Sequence, residues 1–418
     1  MNSHSNKFTQ GLKQNAGQFS LLIIINAFVG AMVGLERTIL PEIAEQDFNL
    51  SAKSAVLSYI VVFGIVKAIT NWFAGRLSDR IGRRKVLIWG WISAIPVPFL
   101  LMWANHWNLI LLANVFLGVS QGLTWSTTVI MKIDLVGSKN RGLAMGLNEF
   151  AGYIAVAASA LATGYIAKHW GLRPEPFLLG IAYVIFGLAL SIFWARETQG
   201  FAQQETISSV PLLNQLTARE IFLQTSFKHA DLSSVTQVGF FNNFNDGMAW
   251  GLFPLLFAAW GISIDKIGLL AAIYLATWGV TQLFTGGISD FLGRKWLIVT
   301  GMWIQAGGIG ITAFSTSFIG FTAGSILLGV GTAMVYPTLL AAIGDVAQAY
   351  WRATAVGTYR FWRDIGYAFG AIVSGVVADF FGLTSAIYLT AAITFLSGSM
   401  AAFRMRETLL QKKALTQR

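Results

Sequence analysis

Eight ionisable side chains lie deep inside long apolar runs of this chain. Glu36 and Arg37 precede Leu40-Pro41, Lys67 and Glu149 stand alone in later runs, Asp246 sits mid-run, and Arg360, Arg363 and Asp364 cluster near the end. Charge is costly away from water, so groups at such depth pair with one another, hold a solute or relay protons. An acid in a low-dielectric cavity can exchange a proton near neutrality. Asp246 and Glu149, with Glu36 third, are therefore the candidate proton carriers. Four acids and four bases balance, so no surplus charge announces an anionic or a cationic solute.

Helical spacing sorts these groups. Arg360, Arg363 and Asp364 are three and four positions apart and share a face. An internal pair there leaves one arginine free for a solute anion, or for Glu149 or Asp246. Asn242, Asn243 and Asp246 form a polar stripe that Trp250 continues, and Lys67 with Asn71 forms another. Such stripes read as the wet wall of a cavity, with Tyr153, Tyr274, Trp278, Gln282, Tyr336 and Trp362 as further wall residues. Core packing is the alternative for any single aromatic. Glu36 and Arg37 are neighbours about 100° apart on a helix. Arg37 is a cavity candidate, and one of the two serves an outer gate or a lipid-facing rim.

The elements that carry these groups are membrane spans. Of 418 residues, 55% are hydrophobic and 11% charged, with 31 Phe and 15 Trp. A soluble chain of this size needs far more polar surface. Crossing the hydrocarbon takes about 20 apolar residues. Twelve such runs are expected: 19–42, 53–74, 85–104, 108–131, 144–167, 175–195, 234–259, 266–286, 296–315, 319–343, 356–379 and 384–403. Lipid offers no hydrogen-bond partners, so the runs are helices. The fold class is an all-α integral membrane protein.

Lys and Arg concentrate in even-numbered turns and at both tails. Arg76, Arg80, Arg83, Arg84 and Lys85 follow span two; Lys132, Lys139 and Arg141 follow span four; Arg294, Lys295 and Arg352 follow spans eight and ten. The positive-inside rule places these turns and both termini in the cytoplasm. The expected location is the plasma membrane, a bacterial inner membrane. The same bias accounts for the net charge of +10, and no basic-aromatic nucleic-acid module is visible. The first apolar run is too long for a signal-peptide core. Cysteine is absent, which excludes thiolate metal sites.

One charged knot occurs twice. Gly75-Arg76-Leu77-Ser78-Asp79-Arg80-Ile81-Gly82-Arg83 returns as Gly286-Gly287-Ile288-Ser289-Asp290-Phe291-Leu292-Gly293-Arg294, with 211 positions between Asp79 and Asp290. At the same offset Asp134 meets Asp345, Gly146 meets Gly357, Gly164 meets Gly375, and Asn71 meets Gln282. Arg196-Glu197-Thr198 and Arg406-Glu407-Thr408 close the two halves. Internal duplication in a membrane chain is a signature of secondary transporters. The expected organisation is a tail at 1–18, a bundle at 19–196, a linker at 197–232, a second bundle at 233–404 and a tail at 405–418. Apolar spacing in the linker predicts a short amphipathic helix over 210–227.

Six plus six spans with a doubled Gly-x-x-x-Asp-x-x-Gly-Arg resemble the major facilitator superfamily over nearly the whole chain. The resemblance implies two pseudo-symmetric six-helix bundles around a central cavity, rocking to carry a substrate. It implies that Gly75, Asp79, Gly82 and Arg83, with Gly286, Asp290, Gly293 and Arg294, form a gate. Asp79 would cap the start of helix eleven near Arg352 to Thr358, while Arg83 pairs with Asp134 and Arg294 with Asp345. A monomer is expected from the family. Two departures count against its drug-antiporter type. Asn114 stands where such exporters carry an arginine, and the span from Gly152 to Gly164 has no Gly-Pro kink.

The function expected is secondary transport of a small organic solute, proton-coupled, with export ahead of uptake of a carboxylate or sugar-like solute. No Walker-type loop occurs, so the gradient of an ion, the proton, supplies the drive and no other cofactor is called for. A membrane enzyme is disfavoured: only four His occur, at 4, 106, 169 and 229, with no His-Asp pairing. A transporter-like sensor would need an output domain, and neither tail is long enough.

Overall fold

The computed structural model describes residues 9–136, 141–202, 216–347 and 351–409, with backbone alone at 141–145 and 353. The first half comprises α1 (Ala16–Arg37), α2 (Leu40–Gln46), α3 (Lys53–Val56), α4 (Ser58–Ile81), α5 (Arg83–Ala94), α6 (Pro96–Trp103), α7 (Trp107–Val136), α8 (Arg141–Trp170) and α9 (Leu178–Phe193). A linker helix, α10 (Ala218–Leu223), precedes α11 (Ala230–Ala259), α12 (Ile264–Leu292), α13 (Lys295–Phe314), α14 (Phe318–Val346), α15 (Arg352–Phe381) and α16 (Leu383–Arg404). No strand occurs among the described residues.

Among the described residues, eleven helical stretches are long and apolar enough to cross a membrane. Phe193, Phe314, Phe380 and Phe403 project from the bundle largely exposed, an arrangement that water would punish and hydrocarbon favours. The seventh expected span, α11, is the exception. It has the length, 30 residues, but its Asn242, Asn243, Asn245 and Asp246 are all buried against other helices. Asn245 donates to Gln305 Oε1 of α13 at 3.1 Å and accepts from Thr394 Oγ1 of α16 at 2.6 Å. It is polar because protein, rather than lipid, surrounds it.

Prolines set the breaks inside spans. Span one divides at Thr38-Ile39, with Pro41 in the first turn of α2, and span three divides at Ile95, with Pro96 opening α6. Proline lacks the N–H that a helix interior needs, and it is tolerated in a first turn.

Two sequence expectations need correcting here. The second span does not end at 74: α4 runs on through Ser78-Asp79-Arg80 to Ile81, and the chain turns at Gly82, at φ +97°. In the linker the helix spans only Ala218–Leu223, begun by a capping box between Thr217 and Glu220, and a π-helical turn Gln224–Lys228 follows. Residues 210–215 of the expected helix lie outside the described residues. Phe222 packs edge-on against Trp72 of α4 at 5.9 Å and near Trp362 of α15 at 6.4 Å. The hydrogen bonds from Thr217 hold the Glu220 carboxyl below the usual carboxylate range.

Candidate functional site: the seam between the halves

The site lies where α1, α4, α7 and α8 of the first half face α11, α12, α14 and α15 of the second, and it changes character along its length. At the end away from the knots it is shut. Gly164 and Gly375 are equivalent by the 211-residue offset, and both are pressed against the other half. A Cβ on Gly164 would stand 2.9 Å from the Ile264 carbonyl oxygen, and one on Gly375 would stand 2.8 Å from the Ser54 Cα. One turn further out, Lys168 Nζ reaches Asp265 Oδ2 at 2.9 Å. At the equivalent pair of positions, Asp379 accepts the backbone N–H groups of Lys53 and Ser54 and the Ser54 hydroxyl. A carboxylate at a helix start satisfies N–H groups that have no partner within the helix. These contacts escaped the sequence reading. Adding 211 to Ser54 and Lys168 gives Asp265 and Asp379, so the repeat itself held the signal.

The knot end is open. Gly75 and Gly286, like Gly146 and Gly357, have nothing within 4 Å of a Cβ position. The capping of helix eleven by Asp79 that the resemblance implies is not made among the described residues in this conformation. Asp79 is largely exposed and pairs instead with Arg83 Nη1 at 2.6 Å. Asp290 does the same with Arg294 Nη2 at 2.6 Å.

Each knot is tied within its own half. Arg83 Nε donates to Asp134 Oδ2 at 3.3 Å, and Arg294 Nε to Asp345 Oδ2 at 3.0 Å. Thr198 and Thr408 donate to the same two carboxylates at 2.8 and 3.4 Å. Glu197 accepts the backbone N–H groups of Arg83 and Arg84 at 2.9 and 3.1 Å; Glu407 accepts those of Arg294 and Lys295 at 2.8 and 3.1 Å. The Arg-Glu-Thr endings, visible in sequence without a role, thus lock each knot to the last helix of its half. Gly82 and Gly293 are obligatory, since a Cβ would meet the Glu197 or Glu407 carboxylate at 2.6 or 2.5 Å at a left-handed φ. Gly82→Ala and Gly293→Ala should each cost about 1–3 kcal/mol of stability from backbone strain and the displaced carboxylate. Thermal unfolding of the purified variants checks this, with Gly75→Ala, which meets open space, as the neutral control.

Between the two ends the intramembrane charges fall into tiers. Arg37 and Asp246 form a bidentate pair across the seam, both bonds 2.9 Å, and Tyr274 donates to Asp246 at 3.2 Å. The Arg37 guanidinium also lies 4.1 Å over the Trp250 ring. Glu36 points the other way, buried inside the first half, where Asn114 donates to its Oε1 at 3.2 Å. Neither residue lines a lipid rim. Asn114, which replaces the arginine of the drug-antiporter pattern, serves Glu36.

One tier nearer the knots, Tyr153 and Trp278 stack across the seam with centroids 3.6 Å apart, and Tyr336 meets Trp278 edge-on at 5.9 Å. Arg363 pairs with its neighbour Asp364 at 2.6 Å and donates to the Tyr336 hydroxyl. Asn71 donates to Asp364 and accepts from Ser126. The internal pair on this helix is therefore Arg363–Asp364, and Arg360 is the arginine left over, its Nε without a partner. Asn242 departs from the expected cavity wall, because its oxygen accepts from Gln305 inside the second half at 3.0 Å. Asn243 is likewise buried, against Gly366 of α15. Lys132, expected as a turn cation, is buried in α7 and donates to the Leu22 carbonyl at 3.1 Å.

Two related helical halves, sealed at one end and parted at the other around buried polar tiers, have the architecture of a membrane transporter. The chain belongs to the Major Facilitator Superfamily, whose model matches residues 21–228 and 236–418. It is 22% identical over 400 residues to an uncharacterized MFS-type transporter of Salmonella typhimurium, covering 90% of this chain and 93% of the relative. It is 24% identical to the multidrug resistance protein MdtG of Proteus mirabilis, covering 79% of this chain and 81% of that one. A probable 4-methylmuconolactone transporter of Cupriavidus pinatubonensis is also 24% identical, over 77% of this chain and 75% of the relative.

Proposed function

We propose that this multi-pass membrane transporter is proton-coupled and exports a small organic solute across a bacterial inner membrane. Both knots and both termini lie on the cytoplasmic side in this reading, and the bundles at 19–196 and 233–404 rock as the two bodies. The observation that carries the proposal is the opposed state of the seam. One end is closed by contacts at repeat-equivalent positions, while the glycines of the other end face empty space. That is one of the two states a rocker must visit. Cations gathered at the knot end support the orientation. The names of the MdtG relatives support export.

Among the three acids considered, Glu149 best suits a proton carrier. Its Oε1 accepts from Trp125 and Asn148, and its Oε2 is buried without a partner. Asp246 has both oxygens engaged by Arg37, and Glu36 is enclosed within one half. The test is proteoliposomes holding an internal pH dye, challenged with ethidium or benzoate. Wild type should couple solute movement to proton flux. Glu149→Gln should abolish the proton flux and keep solute exchange. A Glu149→Gln protein that remains fully driven by a pH gradient overturns the assignment.

Uptake of a carboxylate is the second reading. It is favoured by two cations, Lys67 and Arg360, that form no ion pair among the described residues, and by the muconolactone transporter among the relatives.

A further inference from the structure

We infer that the solute is an organic monoanion, a carboxylate on a flat unsaturated body, bound between Lys67 and Arg360 against the Tyr153–Trp278 stack. The inference rests on the transport reading above and adds the chemical class of its cargo. Helical geometry puts four residues at one depth, a turn from the aromatic tier towards the open end. Asn71 follows Lys67 by four, Gln282 follows Trp278 by four, Glu149 precedes Tyr153 by four, and Arg360 precedes Arg363 by three. They are also repeat partners: Asn71 with Gln282, and Glu149 with Arg360. Asn71 is fully engaged, whereas the other three keep buried polar atoms without a partner: Glu149 Oε2, both amide atoms of Gln282, and Arg360 Nε.

Buried polar atoms are normally satisfied, and a set of orphans converging on one layer marks the place of a ligand. Lys67 adds to the set. It is 8% exposed, and its Nζ lies 5.3, 5.8 and 5.3 Å from the Phe63, Trp125 and Tyr367 rings, with no ion pair among the described residues. The charge count decides the class. With Arg37–Asp246 and Arg363–Asp364 neutral, the layer keeps two cations, Lys67 and Arg360, against one carboxylate, Glu149. One negative charge on the solute neutralises the two cations and Glu149 together. The stacked rings suit a planar body, and Gln282 offers both a donor and an acceptor for a polar substituent.

The test is thermal unfolding of the purified full chain, read by its tryptophans, with benzoate, benzamide or benzylamine added. Benzoate should stabilise the protein and bind at least about tenfold more tightly than the neutral and cationic probes. Lys67→Met and Arg360→Gln should each raise the benzoate Kd by about 10–100-fold, the loss of one charge-assisted contact. Unliganded melting of each variant guards against misfolding, and Arg360→Lys should keep part of the binding. Failure of benzoate to bind, equal or tighter binding of benzylamine, or indifference to both variants overturns the inference. Counterflow of labelled benzoate and benzylamine in proteoliposomes separates the two claims. Binding of benzoate without exchange leaves the anion site standing and sinks transport. Exchange of benzylamine alone keeps transport and sinks the anion.

Discussion

Asp246→Ala should lose about 3–5 kcal/mol of stability, the cost of leaving a buried arginine without its counter-charge. Arg37 and Asp246 are almost wholly buried and meet through two 2.9 Å bonds. The double variant Arg37→Met/Asp246→Leu should recover most of that loss, since removing both charges removes the desolvation penalty as well. Both proteins should transport poorly, because the pair ties α1 to α11 across the moving seam. Denaturant titration of the purified proteins in detergent reads the stability difference. A single variant within about 1 kcal/mol of wild type would mean that the pair behaves like a solvated surface bridge.

Locking the shut end should stop transport outright. The chain contains no cysteine, so Lys168→Cys/Asp265→Cys offers a short bifunctional thiol cross-linker its only targets. The parent side chains meet at 2.9 Å, across two helices that also touch at Gly164 and Gly268, where a Cβ would come within 3.1 Å of the opposing Cα. With the link formed, solute exchange should fall to background, and a reducible linker should restore it on cleavage. Undiminished exchange through fully cross-linked protein would show that this end need not open.

The helices were legible because lipid demands a fixed length of apolar chain, and the duplicated knot made the two halves visible. Direction around each helix was legible only in part. Asn242 and Asp246 differ by about 40° on a helix, yet one faces Gln305 inside its own half and the other faces Arg37 across the seam. That choice is made by how the halves dock, which a single-helix projection does not contain. Lys132 was misread because cation counting registers sequence position near a turn, not depth. Which arginine pairs with Asp364 stayed open in sequence for a related reason: adjacent residues point about 100° apart, but a long arginine can fold back onto its neighbour, as Arg363 does. The outer contacts of Asp379 and Lys168 were in reach. They needed the repeat offset applied to polar residues outside the knots.

The two-ended rocker is tested most directly by paired spin labels on this cysteine-free chain, one pair flanking the knot end at Gly75 and Gly357, another flanking the shut end at Lys168 and Asp265. Reconstituted protein cycled by a pH gradient should show a second population in which the first distance shortens as the second lengthens. If both distances stay fixed, or lengthen together, the halves do not alternate and the account fails.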